Sequence, residues 1–155
     1  MKNLSARWLF LIMAGVGIAG FIVGQVLEVY FGIQGCRLCH IERWMMLAGG
    51  IFSLLTWMTW TSLFGLFAAY NALFVWIGGC FTALYHVGIQ YHLFHVPTFC
   101  SVKNADTLSE FLSTPKISCD QRTLELFSIP SSVYVSVLFA VLSLVCIYVL
   151  RKRSV

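Results

Sequence analysis

No Asp, Glu, Lys or Arg occurs between Arg43 and Lys103. A charge-free run of that length has room for two apolar segments of about 20 residues, the length that crosses a bilayer's hydrocarbon core. The rest of the chain agrees. Only 10% of its 155 residues are charged and 59% are hydrophobic, whereas about 25% charge is usual in a soluble domain. The chain reads as a single integral membrane domain.

Four spans are expected, as an all-α transmembrane bundle. The first covers about residues 8–27 and stops at Glu28. The second and third, about 41–58 and 63–90, share the charge-free stretch. A tight turn near Thr59-Trp60-Thr61-Ser62 separates them. The fourth covers about 130–150. A cleaved signal peptide is the rival reading of the N-terminus, but its apolar core would be only about 7–15 residues long, and no small-residue cleavage site stands out.

Orientation follows from charge. Lys2 and Arg7 precede the first span, and Arg151, Lys152 and Arg153 follow the last. Cytoplasmic ends carry the Lys and Arg excess, and four spans return the chain to its starting side. Both basic ends are then cytoplasmic, whereas three spans would place one of them outside. The net charge of +4 is a topology signal, and no basic stripe suggests a nucleic-acid partner. Two loops lie outside, a short one at about 29–40 and a long one at about 91–129.

Of the six cysteines, Cys80 and Cys146 fall inside spans three and four and read as small buried hydrophobes. The other four fall on the extracytoplasmic side, where disulfides persist: Cys36 and Cys39 in the first loop, Cys100 and Cys119 in the second. A Cys100–Cys119 bridge would stabilise the loop by roughly 3 kcal/mol in the loop-entropy model. A Cys36–Cys39 bridge closes too small a ring to add much, and tight C-x-x-C rings are usually redox-active. Cys36 precedes an expected helix start, with Arg37 and Arg43 close by. A helix N-terminus and cationic neighbours both favour the thiolate, the species that attacks in disulfide exchange.

Cys36-Arg37-Leu38-Cys39-His40 also has the C-x-x-C-H spacing that attaches a c-type haem. That reading makes the chain a membrane cytochrome, with His40 as axial ligand and Met45, Met46 or a later His as the second. The motif is crowded against a span, however, and Cys100 and Cys119 are left without a role. A zinc site built from the four outer cysteines is disfavoured because structural zinc prefers tighter pairs, so no metal is expected. A non-enzymatic tetraspan protein with structural disulfides is the remaining alternative.

The long loop carries further patterns. Thr107-x-x-Glu110 has capping-box spacing. Leu108, Phe111 and Leu112 follow at helical spacing, consistent with a short amphipathic helix on the membrane surface or with simple loop packing. Ser118-Cys119-Asp120-Gln121 reads as another short turn, with Leu124 and Phe127 on one face. Gly20-x-x-x-Gly24 and Gly78-Gly79 read as close-packed helix surfaces.

Together these features resemble the DsbB-type quinone-dependent thiol oxidoreductases. The likeness rests on four spans with both ends inside, on Cys36-x-x-Cys39 followed by Glu42-Arg43, on Cys100 and Cys119 in the long outer loop, and on Leu126-Phe127-Ser128-Ile129-Pro130 leading into the last span. The resemblance implies an enzyme of the bacterial inner membrane that supports disulfide bond formation, with its redox cysteines on the periplasmic side. It implies oxidation of a soluble, DsbA-like thioredoxin-fold partner, with electrons passed to a membrane quinone, ubiquinone or menaquinone. It also implies two disulfides, Cys36–Cys39 and Cys100–Cys119. Cys100 would then form the mixed disulfide with the partner, Cys119 would exchange with Cys36, and Cys39 would lie against the quinone. The interval between Cys100 and Cys119 is short for this family.

Arg43, at i,i+4 from Cys39, lies on the same helix face and is expected to approach a quinone oxygen. The alternative is snorkelling towards head groups. His86 either faces the quinone pocket or hydrogen-bonds within the bundle. His92 and His95, with Tyr85 and Gln90, are expected to form a polar rim at the outer end of span three.

Overall fold

The computed structural model describes residues 2–33, 35–97, 100, 118–121, 125–126 and 129–154. Four helices carry the architecture: α1 (Lys2–Phe31), α2 (Arg37–Met58), α3 (Leu63–Gln90) and α4 (Ser131–Ser154). A two-residue strand β1 (Glu125–Leu126) pairs antiparallel with β2 (Ile129–Pro130) just before α4. The expected loop helix around Thr107, Leu108, Glu110, Phe111 and Leu112, and the face of Leu124 and Phe127, lie outside the described residues.

Each helix packs extensively on the one before it, and α1 touches α4 less extensively. Short connections impose this on α1–α2 and α2–α3, whereas α4 returns to α3 after the long connection that begins at residue 91. Ser62 opens α3 by accepting a hydrogen bond from the Gly65 backbone N–H at 3.1 Å, and Thr59 closes α2 with its own N–H on the Leu55 carbonyl. Gly65 is required in that turn, since a Cβ there would lie 2.0 Å from the Thr59 carbonyl oxygen.

The core is centred on Trp76 of α3, which is fully buried and tilted against Phe139 of α4 with ring centroids 5.8 Å apart. Glycines admit that indole. A Cβ on Gly49 of α2 would fall 2.7 Å from the Trp76 ring, and one on Gly79 would fall 2.3 Å from Phe139. Gly78 is nearly open, so only the second residue of the Gly78-Gly79 pair is held by packing. Cys146 is buried with its thiol on the Ala69 carbonyl, as a small core residue would be. Val29, Phe31, Leu63, Phe74, Phe81 and Leu144 face outward. Helices that are apolar on all sides suit a lipid surround. Ala6–Phe31, Leu63–Gln90 and Ser131–Lys152 are each long and apolar enough to cross a membrane.

The helix ends differ from the sequence expectation at the site. The first span was expected to stop at Glu28, yet α1 runs one turn further, to Phe31. α2 begins at Arg37, so the connection shrinks to residues 32–36. Within that extended helix Glu28 accepts a hydrogen bond from Arg43, which offsets the cost of a carboxylate at this depth. Gly32, with φ +66°, turns the chain out of α1 in a conformation that favours glycine.

Candidate functional site

Cys36 caps α2 from an extended conformation (φ −71°, ψ 173°), and its side chain makes no capping bond. Its sulfur points instead at two groups. Cys39 Sγ is 3.4 Å away and His86 Nε2 is 3.5 Å away. The two sulfurs are not bonded to each other in this structure. The Cys39 thiol and then His86 hold the Cys36 thiol well below the usual thiol range, against the opposing effect of burial.

His86 is itself held in place. Its Nδ1 lies 2.9 Å from the Glu42 carboxylate, and both side chains are buried. The Gln90 amide reaches His86 Nε2 at 3.3 Å, and the Ser132 hydroxyl donates to Gln90 Oε1. One polar chain thus runs from Cys36 of the α1–α2 connection through α2 and α3 to α4. A buried carboxylate needs such a partner, because burying it unpaired is costly.

Arg43 lies in a cradle made by α1. Its Nη1 donates to Gln25 Oε1 at 3.0 Å and to Glu28. Its stem runs across Gly24, where a Cβ would fall 2.6 Å from Nε and 2.7 Å from Cδ. Its other terminal nitrogen would meet a Cβ on Gly35 at 3.0 Å. On the far side of Glu28, His40 Nε2 lies 3.5 Å from the carboxylate.

Arg43 borders a cavity of about 370 Å³ between α1, α2 and α4, which His86 of α3 also reaches. Gly20, Val23 and Leu27 supply apolar wall from α1, and Tyr134 and Val135 from α4. Cys39, Glu42, Arg43 and His86 supply the polar side. Its volume falls in the range of small-molecule sites, and such sites are apolar with a few convergent polar groups.

The second cysteine pair reaches the same place past the C-terminal end of α3. That helix closes in a Schellman arrangement: His92 adopts φ +57°, its N–H meets the Ile89 carbonyl, and the Leu93 N–H meets the Gly88 carbonyl. Phe94 then folds back onto Gly88 and stacks on Tyr85 at 5.5 Å. The turned chain brings Val96 and Cys100 over the start of α2. Cys100 and Cys119 form a disulfide, and Cys36, Leu38, Ile89, Cys100 and Cys119 make one buried cluster with Cys39 and Val96 packed on it. A turn closed by the Gln121 N–H on the Ser118 carbonyl carries Cys119.

All six residues singled out from the sequence as site candidates, Cys36, Cys39, Arg43, His86, Cys100 and Cys119, therefore gather at one end of the bundle. His86 contacts the Cys36 sulfur and also lines the cavity. His92 and His95 are exposed and outside the cavity wall, while Gln90 is buried in the polar chain. The sequence reading missed Glu42, Gln90, Ser132, Gln25 and Glu28 as supporting groups. A usable signal existed for Glu42, a lone carboxylate entering a charge-free run, whose cost predicts a buried partner.

No curated protein and no solved structure matches the chain. The family model for disulfide bond formation protein DsbB matches residues 6–149, nearly the whole chain. A membrane-type helical bundle with two cysteine pairs beside one apolar cavity is consistent with that match, and the chain belongs to the DsbB family of membrane disulfide-bond-forming oxidoreductases.

Proposed function

We propose that this chain reoxidises a DsbA-like thioredoxin-fold dithiol in the periplasm and passes the two electrons to a quinone in the bacterial inner membrane. One observation carries the reading. Cys36 shares a buried cluster with the Cys100–Cys119 disulfide, while Cys39, its neighbour at 3.4 Å, lines the apolar cavity. A relay from a soluble dithiol to a lipid-soluble acceptor needs this adjacency. In this reading α2 also crosses the membrane, making four spans, both helix-bundle ends are cytoplasmic, and the cysteines are periplasmic.

The exchange steps balance as follows. The partner's thiolate attacks Cys100, the Cys100–Cys119 bond breaks, and Cys119 leaves as thiolate. The partner's second thiolate then attacks the mixed disulfide, so the partner leaves oxidised and Cys100 is released as thiolate. The Cys119 thiolate attacks Cys36 of an oxidised Cys36–Cys39 pair, expelling Cys39 as thiolate beside the cavity. Cys100 closes again on Cys119, and Cys36 is freed. The net change is one disulfide formed in the partner and one dithiol formed at Cys36–Cys39. Attack requires a thiolate with access to the bridging sulfur, and Cys36, the leaving sulfur of the last step, is favoured as thiolate by its Cys39 and His86 neighbours.

The cavity fits a quinone: its wall is largely apolar, and Arg43 offers N–H donors towards an acceptor oxygen. When bound there, a quinone supplies the two-electron sink. Arg43, fixed by Glu28 and Gln25, would hold one oxygen, and Glu42 keeps the His86 ring oriented.

The deciding experiment is quinone reduction by the purified full chain, supplied with a reduced thioredoxin-fold dithiol. One quinone should be consumed per disulfide formed in the partner, and Cys39→Ala should stop it. Disulfide formation without loss of quinone would reject the reading.

A further inference from the structure

We propose that the dithiol form of this site binds a thiophilic divalent cation, of which zinc is the natural case, through Cys36 Sγ, Cys39 Sγ and His86 Nε2. The three donor atoms all lie within 4.8 Å of one another. Cys36 Sγ is 3.4 Å from Cys39 Sγ and 3.5 Å from His86 Nε2. Zinc binds sulfur at about 2.3 Å and imidazole nitrogen at about 2.0–2.1 Å, which sets tetrahedral donors roughly 3.5–3.8 Å apart. The two separations from Cys36 Sγ need only tenths of an ångström of adjustment, and the Cys39–His86 separation, within 4.8 Å, closes by at most about 1.3 Å.

The second observation is the group behind the histidine. Glu42 holds His86 Nδ1 at 2.9 Å, leaving Nε2 to face the sulfurs. A carboxylate on the far nitrogen of a ligating histidine is the usual outer support of a zinc site. Cys39 and His86 also border the cavity, so the fourth coordination position opens onto it. The sequence spacing conceals this arrangement, because the third ligand comes from a different helix.

Binding releases one proton from each cysteine that enters as a thiol, and His86 coordinates as the neutral ring, giving up the Gln90 contact. No electrons move. With both sulfurs ligated, the Cys36–Cys39 disulfide cannot form, so the cation is an inhibitor of the reduced state and is excluded from the oxidised one. The site itself does not depend on a quinone.

The test uses cobalt(II) as a spectroscopic probe on the full chain in detergent. The metal-free dithiol protein should take up one cobalt per chain, with sulfur-to-cobalt charge-transfer absorption and the d–d bands of tetrahedral cobalt. The same protein oxidised at Cys36–Cys39 should show neither, a comparison that needs no substitution. Cys100→Ser with Cys119→Ser should leave the spectrum unchanged. Cys39→Ser should abolish the two-thiolate intensity, His86→Ala should weaken binding at least tenfold, and Glu42→Gln should weaken it by about tenfold. The proposal fails if reduced protein gives no tetrahedral thiolate spectrum, if the spectrum requires Cys100 and Cys119, or if the oxidised protein binds equally. Quinone reduction in chelator-treated buffer reads the proposed function separately. Activity without cobalt binding removes only the metal site, and cobalt binding without activity removes only the quinone reading.

Discussion

Arg43 of α2 crosses Gly24 of α1 so closely that a single added methyl would lie 2.6 Å from its Nε. The glycine leaves a channel for the guanidinium stem, and Gln25 and Glu28, the next residues facing it, hold its head. The Gly20-x-x-x-Gly24 pattern thus has two uses. Gly20 admits Met46, while Gly24 admits the arginine beside the cavity.

Gly24→Ala should displace Arg43 without removing it. The expected result is an apparent KM for quinone raised about tenfold, equivalent to ~1.4 kcal/mol, with the exchange between partner and Cys100 unaffected. Gly15→Ala is the control, because nothing lies within 4 Å of a Cβ there. Relief of helix-interior glycine should make that variant more stable by about 0.5–1 kcal/mol. Steady-state kinetics and thermal unfolding of the two variants check both statements, and equal quinone KM in the two would detach Gly24 from Arg43.

Arg43→Ala should raise the quinone KM by more than Gly24→Ala does, while the protein still inserts. Glu28→Gln keeps an acceptor for Arg43 and should cost about threefold, whereas Glu28→Ala removes it and should approach the Gly24→Ala effect. Lys at position 43 is not a neutral replacement, since it lacks the planar fork. Unchanged quinone kinetics in Arg43→Ala would reduce Arg43 to an interfacial anchor.

His92 ends α3 in the left-handed region, a conformation that costs a side chain more than it costs glycine. His92→Gly should therefore retain quinone reduction and raise stability by up to about 1 kcal/mol. Loss of activity in that variant would restore His92 to the functional rim suggested by its sequence position.

The order of exchange is testable with a partner carrying only its attacking cysteine. Replacing Cys119 by Ala removes the thiol that takes the electrons onward. No Cys100–Cys119 bond then exists for attack, so the trap must start from Cys100 bridged to a small thiol. A covalent complex through Cys100 should accumulate on non-reducing gels and vanish when Cys100 is replaced. A complex that forms through Cys36 would reverse the assigned order.

Covalent haem should be absent despite the C-x-x-C-H spacing. The His40 ring lies beside Glu28, and the Cys36 sulfur faces His86. A visible spectrum of purified protein checks this, a retained Soret band being the contrary result.

The sequence alone determined the class of structure, because hydrophobicity and charge are local properties read one segment at a time. The charge-free run after Arg43 required apolar helices, and the residues at 59–62 separate α2 from α3 as their polarity suggests. Cys36, Cys39 and Arg43 were legible together because i,i+3 and i,i+4 neighbours share a helix face. What only the tertiary structure decided is which distant groups meet. Glu28 reads as a span terminator until Arg43 is placed against it, and Glu42 reads as an expensive buried charge until His86 arrives from α3. The same folding sets the Cys100–Cys119 bridge over Cys36. Sequence carries the cost of burying each polar group, but the partner that offsets that cost is chosen by helix packing.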